Sequence, residues 1–205
     1  MTKLLTPRLL AAAVLSIGAI LVPSAGAASL GSLLTPVALV TGKATPCSGR
    51  VLSQPFAAWH DTASYFPAPG GSFESGAPGW TLTGGASVQV GGNTFLSSGS
   101  SLALPTGASA TTPVICVDLG SPTLRAFTNA QHGTVVVSVV AAGLAIPVGV
   151  ISESGSWQPT PAMLFLTNTL GILSATGTTT ASFRFTAVGG DAQVDDVYVD
   201  PYRRT

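Results

Sequence analysis

Charge is what this sequence has least of. Its 205 residues carry eight Lys and Arg, eight Asp and Glu, and two His, so 8% are charged, where an average soluble domain has about 25%. No run of Lys or Arg could neutralise a row of phosphates, which excludes nucleic acid as a partner. His60 and His132 lie far apart in the chain, and there is no GxSxG elbow, HExxH helix or clustered His set. Catalysis needs paired groups of suitable acidity within reach of each other, and nothing here singles out such a pair. Long apolar runs are also missing. The longest near the start, "LLAAAVLSIGAILV" (Leu9 to Val22), stops at Pro23, short of the roughly 20 residues that span a bilayer. The other, Val135 to Ile151, is rich in β-branched residues and broken by Gly143 and Pro147. It reads as two buried strands and their turn.

The two Cys, Cys47 and Cys116, have neither CxxC spacing nor a neighbouring His. That argues against a metal or redox pair. The opening stretch, a basic "MTKLLTPR", the apolar run and "PSAGA" with small residues at Ala25 and Ala27, has the build of a secretory signal peptide cleaved near Ala27-Ala28. The expected location is therefore secreted, with no membrane span after cleavage. In that oxidising setting the Cys pair is expected to form a disulfide, stabilising the fold by about 4 kcal/mol in the chain-entropy model. Without the leader, six basic side chains face eight acidic ones.

What the sequence has in plenty is turn residues, 24 Gly and 15 Pro, between short alternating stretches. In "TASFRFTAV", Ala181, Phe183, Phe185 and Ala187 share one face and Ser182, Arg184 and Thr186 the other. "SVQV" sets Val88 beside Val90, and "SLALP", "TPVICVDL", "TLRAFTNA" and "TVVVSVV" continue the theme. Eight to ten short strands and no amphipathic helix predict an all-β chain, an antiparallel β-sandwich of jelly-roll type. The organisation read from the chain is a signal peptide over 1–27, a linker or loosely packed arm over 28–46, and the sandwich over 47–204. The jelly-roll core starts near 70, and Cys47 to Gly71 is expected to pack along the domain edge.

Two segments carry a resemblance. "GGSFESGAPGW" (Gly70 to Trp80) resembles the opening strand and turn of galactose-binding-like jelly rolls, the fold of many carbohydrate-binding modules. "AQVDDVYVDP" resembles their closing strand. The wider pattern also resembles a group of secreted actinobacterial proteins. The resemblance implies a structural calcium ion tying the first strand to the last, with Glu74 and Asp195 or Asp196 among its ligands. Calcium takes six to eight oxygens, carboxylates included. Strand parity favours Asp195, which would share the inner face of Val197 and Val199, while Asp196 would share that of Tyr198 and Asp200. The loop "GGNTFLSSGS" offers no carboxylate where the family often takes another ligand. A hydrogen-bonded network without an ion, with pairing to Arg184, Arg203 or Arg204, is the alternative.

The resemblance also implies a glycan or cell-envelope partner. Sugar sites pair flat aromatic rings with amides or carboxylates. Trp157 with Gln158 in "GSWQP" is the first candidate. Trp59 and Tyr65, near His60 and Asp61, form a possible second platform, with cover of the sandwich edge as the alternative. Trp80, Phe183 and Phe185 belong to the core, and His132 to a turn. A secreted, non-catalytic carbohydrate-binding module is the leading expectation. A cell-surface interaction domain is the alternative, as is a lyase or hydrolase using carboxylates such as Asp61, Glu74, Asp118 or Glu153.

Overall fold

The computed structural model describes residues 46–96, 99–118, 123–141, 143–152, 154–165 and 178–200. The expected signal peptide, almost all of the arm, Glu153, Arg203, Arg204 and the side chain of Asp118 lie outside the described residues.

Among the described residues, thirteen strands form two antiparallel sheets that pack as a β-sandwich. They are β1 (Phe66–Pro67), β2 (Thr81–Thr83), β3 (Ser87–Val90), β4 (Ser100–Leu104), β5 (Ser109–Thr111), β6 (Ile115–Asp118), β7 (Thr123–Ala130), β8 (Thr134–Ala141), β9 (Leu144–Ile151), β10 (Gln158–Pro159), β11 (Met163–Leu164), β12 (Thr178–Val188) and β13 (Ala192–Asp200). A seven-stranded sheet runs β10-β7-β13-β4-β3, with β1 added to β13 and β11 to β7. The six-stranded sheet runs β2-β5-β12-β8-β9, with β6 added to β12. Among the described residues the helical structure is a single 3-10 turn, Ala57–Trp59, and no helix is long and apolar enough to cross a membrane.

Alternation places the core as the sequence implies. Ala181, Phe183, Phe185 and Ala187 of β12 face Leu102, Leu104, Leu124, Ala126, Val194, Val197 and Val199 of the other sheet. Phe73 and Trp80 join them with rings 4.9 Å apart, and the Trp80 indole N–H donates to Pro69 O. The stretch from Val135 to Ile151 is the β8–β9 hairpin. The strand count exceeds the expected eight to ten because β1, β10 and β11 are two residues long, too short to show any period. Val88 and Val90 share a face as read, opposite Leu102 and Ser100, though Val90 is 93% exposed because it ends the edge strand β3.

Cys47 and Cys116 are joined by a disulfide. Nearby, Arg50 donates to the Cys116 carbonyl and lies over the Phe66 ring. This fixes the start of the 46–67 segment to the sandwich. The segment does more than follow an edge: it crosses the outer face of the seven-stranded sheet, where Phe56 and Tyr65 bury themselves with Phe127 of β7.

The last strand is not regular. Its pairing with β7 slips between Asp195 and Tyr198, and Asp196 takes φ 46°, the left-handed region that bulges exploit. One extra residue reverses the parity. Ala192 and Val194 face the core before the bulge, and Val197 and Val199 after it. The inner position expected for Asp195 is therefore wrong: it lies on the outer face, paired with Phe127. The closing and opening segments do meet, as expected. Phe66 pairs with Val199, Ala68 N–H donates to Val197 O and Val197 N–H to Gly71 O.

Two outcomes are expected. Phe183→Ala, at a fully buried site, lowers unfolding free energy by about 3–5 kcal/mol in urea denaturation. Replacing Cys47 and Cys116 with Ser lowers it by about 2–4 kcal/mol in the same measurement.

Candidate functional site

On the outer face of the seven-stranded sheet stand the residues that alternation turns away from the core: Arg125, Phe127 and Asn129 of β7, Gln193 and Asp195 of β13, Ser101 and Ala103 of β4, and Ser87 and Gln89 of β3. Part of this face is roofed and part is open.

Three segments make the roof. Phe56, Trp59 and Tyr65 come from the 46–67 segment, Phe95 from the loop after β3, and Trp157 from the stretch before β10. Phe56 stacks on Phe127 with centroids 5.3 Å apart, Tyr65 meets Phe56 edge-on at 5.1 Å, and Trp59 contacts both Phe95 and Phe127. Trp157 and Tyr198 pack against the same cluster. A buried polar knot holds the roof down. Arg125 forms an ion pair with Asp61, donates through Nε to Thr160 O, and sits 4.1 Å from the Phe56 ring centre. Asp61 also accepts from the Tyr65 hydroxyl at 2.7 Å and the Ala63 N–H. Burial alone would raise the Asp61 carboxyl, but the Tyr65 and Ala63 hydrogen bonds and Arg125 outweigh it and hold the carboxyl below its ordinary 3.8. Burial, aided by the Asp61 carboxylate, pushes the Tyr65 hydroxyl well above its ordinary value.

These contacts revise the second platform. Tyr65 is 1% exposed and hydrogen-bonded to Asp61, so its ring offers no face to a ligand. Trp59 is half-buried between Phe95 and Phe127, in the covering position. Trp157 is half-buried and Gln158 exposed. Gln158 pairs with Thr128, which brings the Trp157 backbone level with Asn129.

The three candidate calcium ligands are each engaged by N–H donors. Asp195, fully buried, accepts at Oδ2 from the backbone N–H of Asn93 at 2.9 Å and from its side-chain Nδ2 at 2.8 Å. Its Oδ1 accepts from Asp196 N. The same Asn93 amide donates to Asp196 Oδ2 at 2.7 Å, while Asn93 Oδ1 caps the N–H groups of Phe95 and Leu96. Glu74 Oε1 accepts from Gly99 and Ser100 N–H. Gly92 is required here, since a Cβ would come within 2.5 Å of Asp195 Oδ2. Both lone pairs of Asp195 Oδ2 and of Glu74 Oε1 are thus taken, and a donor amide stands between the two Asp carboxylates. Among the described residues no three His, Cys, Asp or Glu side chains come together to hold a metal. As arranged, the donor set does not fit calcium. Burial, with Asp196 adding to it against the Asn93 hydrogen bonds, pushes Asp195 up to about 7.

Beyond the roof the face opens into a groove of about 280 Å³. Its floor is one row of the sheet: Asn129, Gln193 and Ala103, paired in register across β7, β13 and β4. Ala103 offers only a methyl, which leaves a trough between Gln193 and Gln89. Gln131 and Asp191 complete the polar lining. Asp191 Oδ1 is held by the N–H and Oγ1 of Thr106. Asn129 is 8% exposed and its Oδ1 has no hydrogen-bond partner among the described residues. Its Nδ2 reaches Gln193 Oε1 only at 3.5 Å. A buried amide left this way is open to hydrogen-bond with a water or a ligand in the groove.

Sequence reading missed this groove. Each amide sits in an ordinary strand or turn, "SVQV", "TNAQ" or "DAQV", and only sheet order brings them together. The signal available was outward-facing Asn and Gln at strand positions. Among the described residues, Asp61 and Glu74 are bound as set out above, His60 ends the 3-10 turn, and His132 lies in the β7–β8 turn as expected; Glu153 and the Asp118 side chain lie outside them.

The chain resembles several solved domains at low identity. The K1 cleaved adhesin domain of Lys-gingipain from Porphyromonas gingivalis W83 is 14% identical, covering 63% of this chain and 95% of that one, with a TM-score of 0.46. The C-terminal family 6 carbohydrate-binding module of a marine laminarinase from Zobellia galactanivorans is 10% identical over 58% and 90%, TM-score 0.43. A xylan-binding domain of carbohydrate-binding module family 22 is 13% identical over 71% and 99%, TM-score 0.43. No protein-family model matches the sequence, and comparison with curated proteins finds no match.

The roof's ion pair has a pH consequence. A carboxyl whose folded pKa lies below its unfolded value adds stability above the unfolded pKa, and loses it as pH falls through the folded one. Stability is therefore expected to decline as pH drops below about 4, and Asp61→Asn to flatten that decline in pH-dependent thermal melts.

Proposed function

We propose that this chain is a secreted, non-catalytic module that binds carbohydrate in the carboxamide groove of its seven-stranded sheet. The observation that carries the reading is the buried Asn129 amide, unpaired at Oδ1, on a floor shared with Gln193 and flanked by Gln89 and Gln131. Carboxamides both donate and accept, as sugar hydroxyls do, so a row of them matches a polyol better than an apolar ligand. Trp157, level with Asn129, supplies an indole that can cover the apolar face of a ring.

The test is a glycan array followed by calorimetry on the mature protein. Gln193→Ala and Trp157→Ala are each expected to weaken binding at least about fivefold, the equivalent of about one hydrogen bond, with an unchanged thermal melt for Gln193→Ala and a lowered one for Trp157→Ala, whose ring also packs in the roof. Retention of no glycan would remove the reading. That outcome would favour the interaction-domain alternative, which the exposed Leu144 and Val150 of the edge strand β9, with Leu164 of β11, support.

The closing carboxylates enter this proposal as a clasp built on Asn93 rather than on calcium. Melting curves with and without EDTA are expected to superimpose, whereas Asn93→Ala, which strips donors from two buried carboxylates, is expected to lower stability by about 2–3 kcal/mol. A drop in melting temperature on chelation would restore the ion.

A further inference from the structure

The charge distribution around the groove narrows the ligand class, resting on the carbohydrate reading just given. The polar side chains that line it are Gln89, Asn129, Gln131, Gln193 and Asp191, with Ala103, Leu104, Pro105 and Ala192 between them. Among the described residues the lining thus holds four neutral amides, one carboxylate and no Lys or Arg. Asp191 is exposed, and its Oδ1 is taken up by Thr106. This fixes the carboxylate at the rim and leaves its charge uncompensated by any cation of the groove.

Polysaccharides divide by charge into neutral hexose and pentose chains and those carrying uronate or sulfate. Sites for the second kind present Arg or Lys, whose guanidinium or ammonium offsets the anion. Here an anionic sugar would meet the Asp191 carboxylate and would have to surrender hydration to amides that cannot neutralise it. A neutral sugar meets no such cost, and its hydroxyls can donate to Asn129 Oδ1 and to the amide oxygens while accepting from their NH2 groups. We infer that the groove selects uncharged glycans and rejects uronate-bearing ones, with Asp191 as the residue that enforces the rejection.

The experiment compares gluco-, galacto- and manno-hexasaccharides with the same oligosaccharides oxidised at C6 to uronates, by calorimetry at low salt. The wild-type protein is expected to bind at least one neutral hexasaccharide and to bind its oxidised form at least about tenfold more weakly. Asp191→Asn keeps an acceptor for Thr106 and removes the charge. It should raise the ratio of uronate to neutral affinity about threefold, the size of one unit-charge repulsion at a wet site. Added salt should narrow the wild-type discrimination and leave that of the variant nearly unaltered. Equal or tighter binding of the oxidised form, or discrimination that survives Asp191→Asn intact, would overturn the inference while leaving carbohydrate binding standing. If neither form is bound, the carbohydrate reading itself fails, and the selectivity falls with it.

Discussion

Everything on the outer face depends on one irregular step in β13. The strand runs through the interior of the seven-stranded sheet, held by β7 on one side and by β4 and then β1 on the other. Between those two partners, at Asp196, the backbone turns left-handed and the ladder slips. Apolar side chains before and after the slip can then both reach the core. The cost of the step is two carboxylates left at a break in the ladder. The backbone N–H and side-chain amide of Asn93 meet them, so the last strand, the opening segment and the loop after β3 close on one another.

The sparse charge of this chain is therefore concentrated rather than spread. Asp195, Asp196 and Asp200 are buried, as is Arg125, and Arg125 is tied to Asp61 beneath an aromatic roof. A partly buried pair of this kind is poor evidence of net stability, because desolvating the ions offsets their attraction. Its physical effect is to fix position. The planar guanidinium engages a carboxylate, a carbonyl and an aromatic face at once, which ties the 46–67 segment and the 154–160 stretch to the same residue of β7. The roof then covers one half of the sheet face and leaves the amide row of the other half open.

That division explains where the expected aromatic residues lie. Aromatic residues drew attention in the sequence because rings are conspicuous, yet Tyr65 and Trp59 serve mainly to exclude water from Phe127. The amides drew none, since a lone Gln in a strand is ordinary. What gives them interest is convergence: Gln89, Asn129 and Gln193 come from three strands and share one trough because β7, β13 and β4 pair in register and Ala103 leaves room.

The sequence alone determined the all-β class, the inward faces of β12 and the β8–β9 hairpin, since period-two alternation is a local property that two or three residues already express. It also implied the disulfide, from two Cys with no other chemistry available. Only the tertiary structure decided the face of Asp195, the fate of Tyr65 and the existence of the groove. A one-residue bulge reverses parity without altering composition, and burial of a ring depends on which distant segment lies over it. A binding trough exists only once strands far apart in the chain lie side by side.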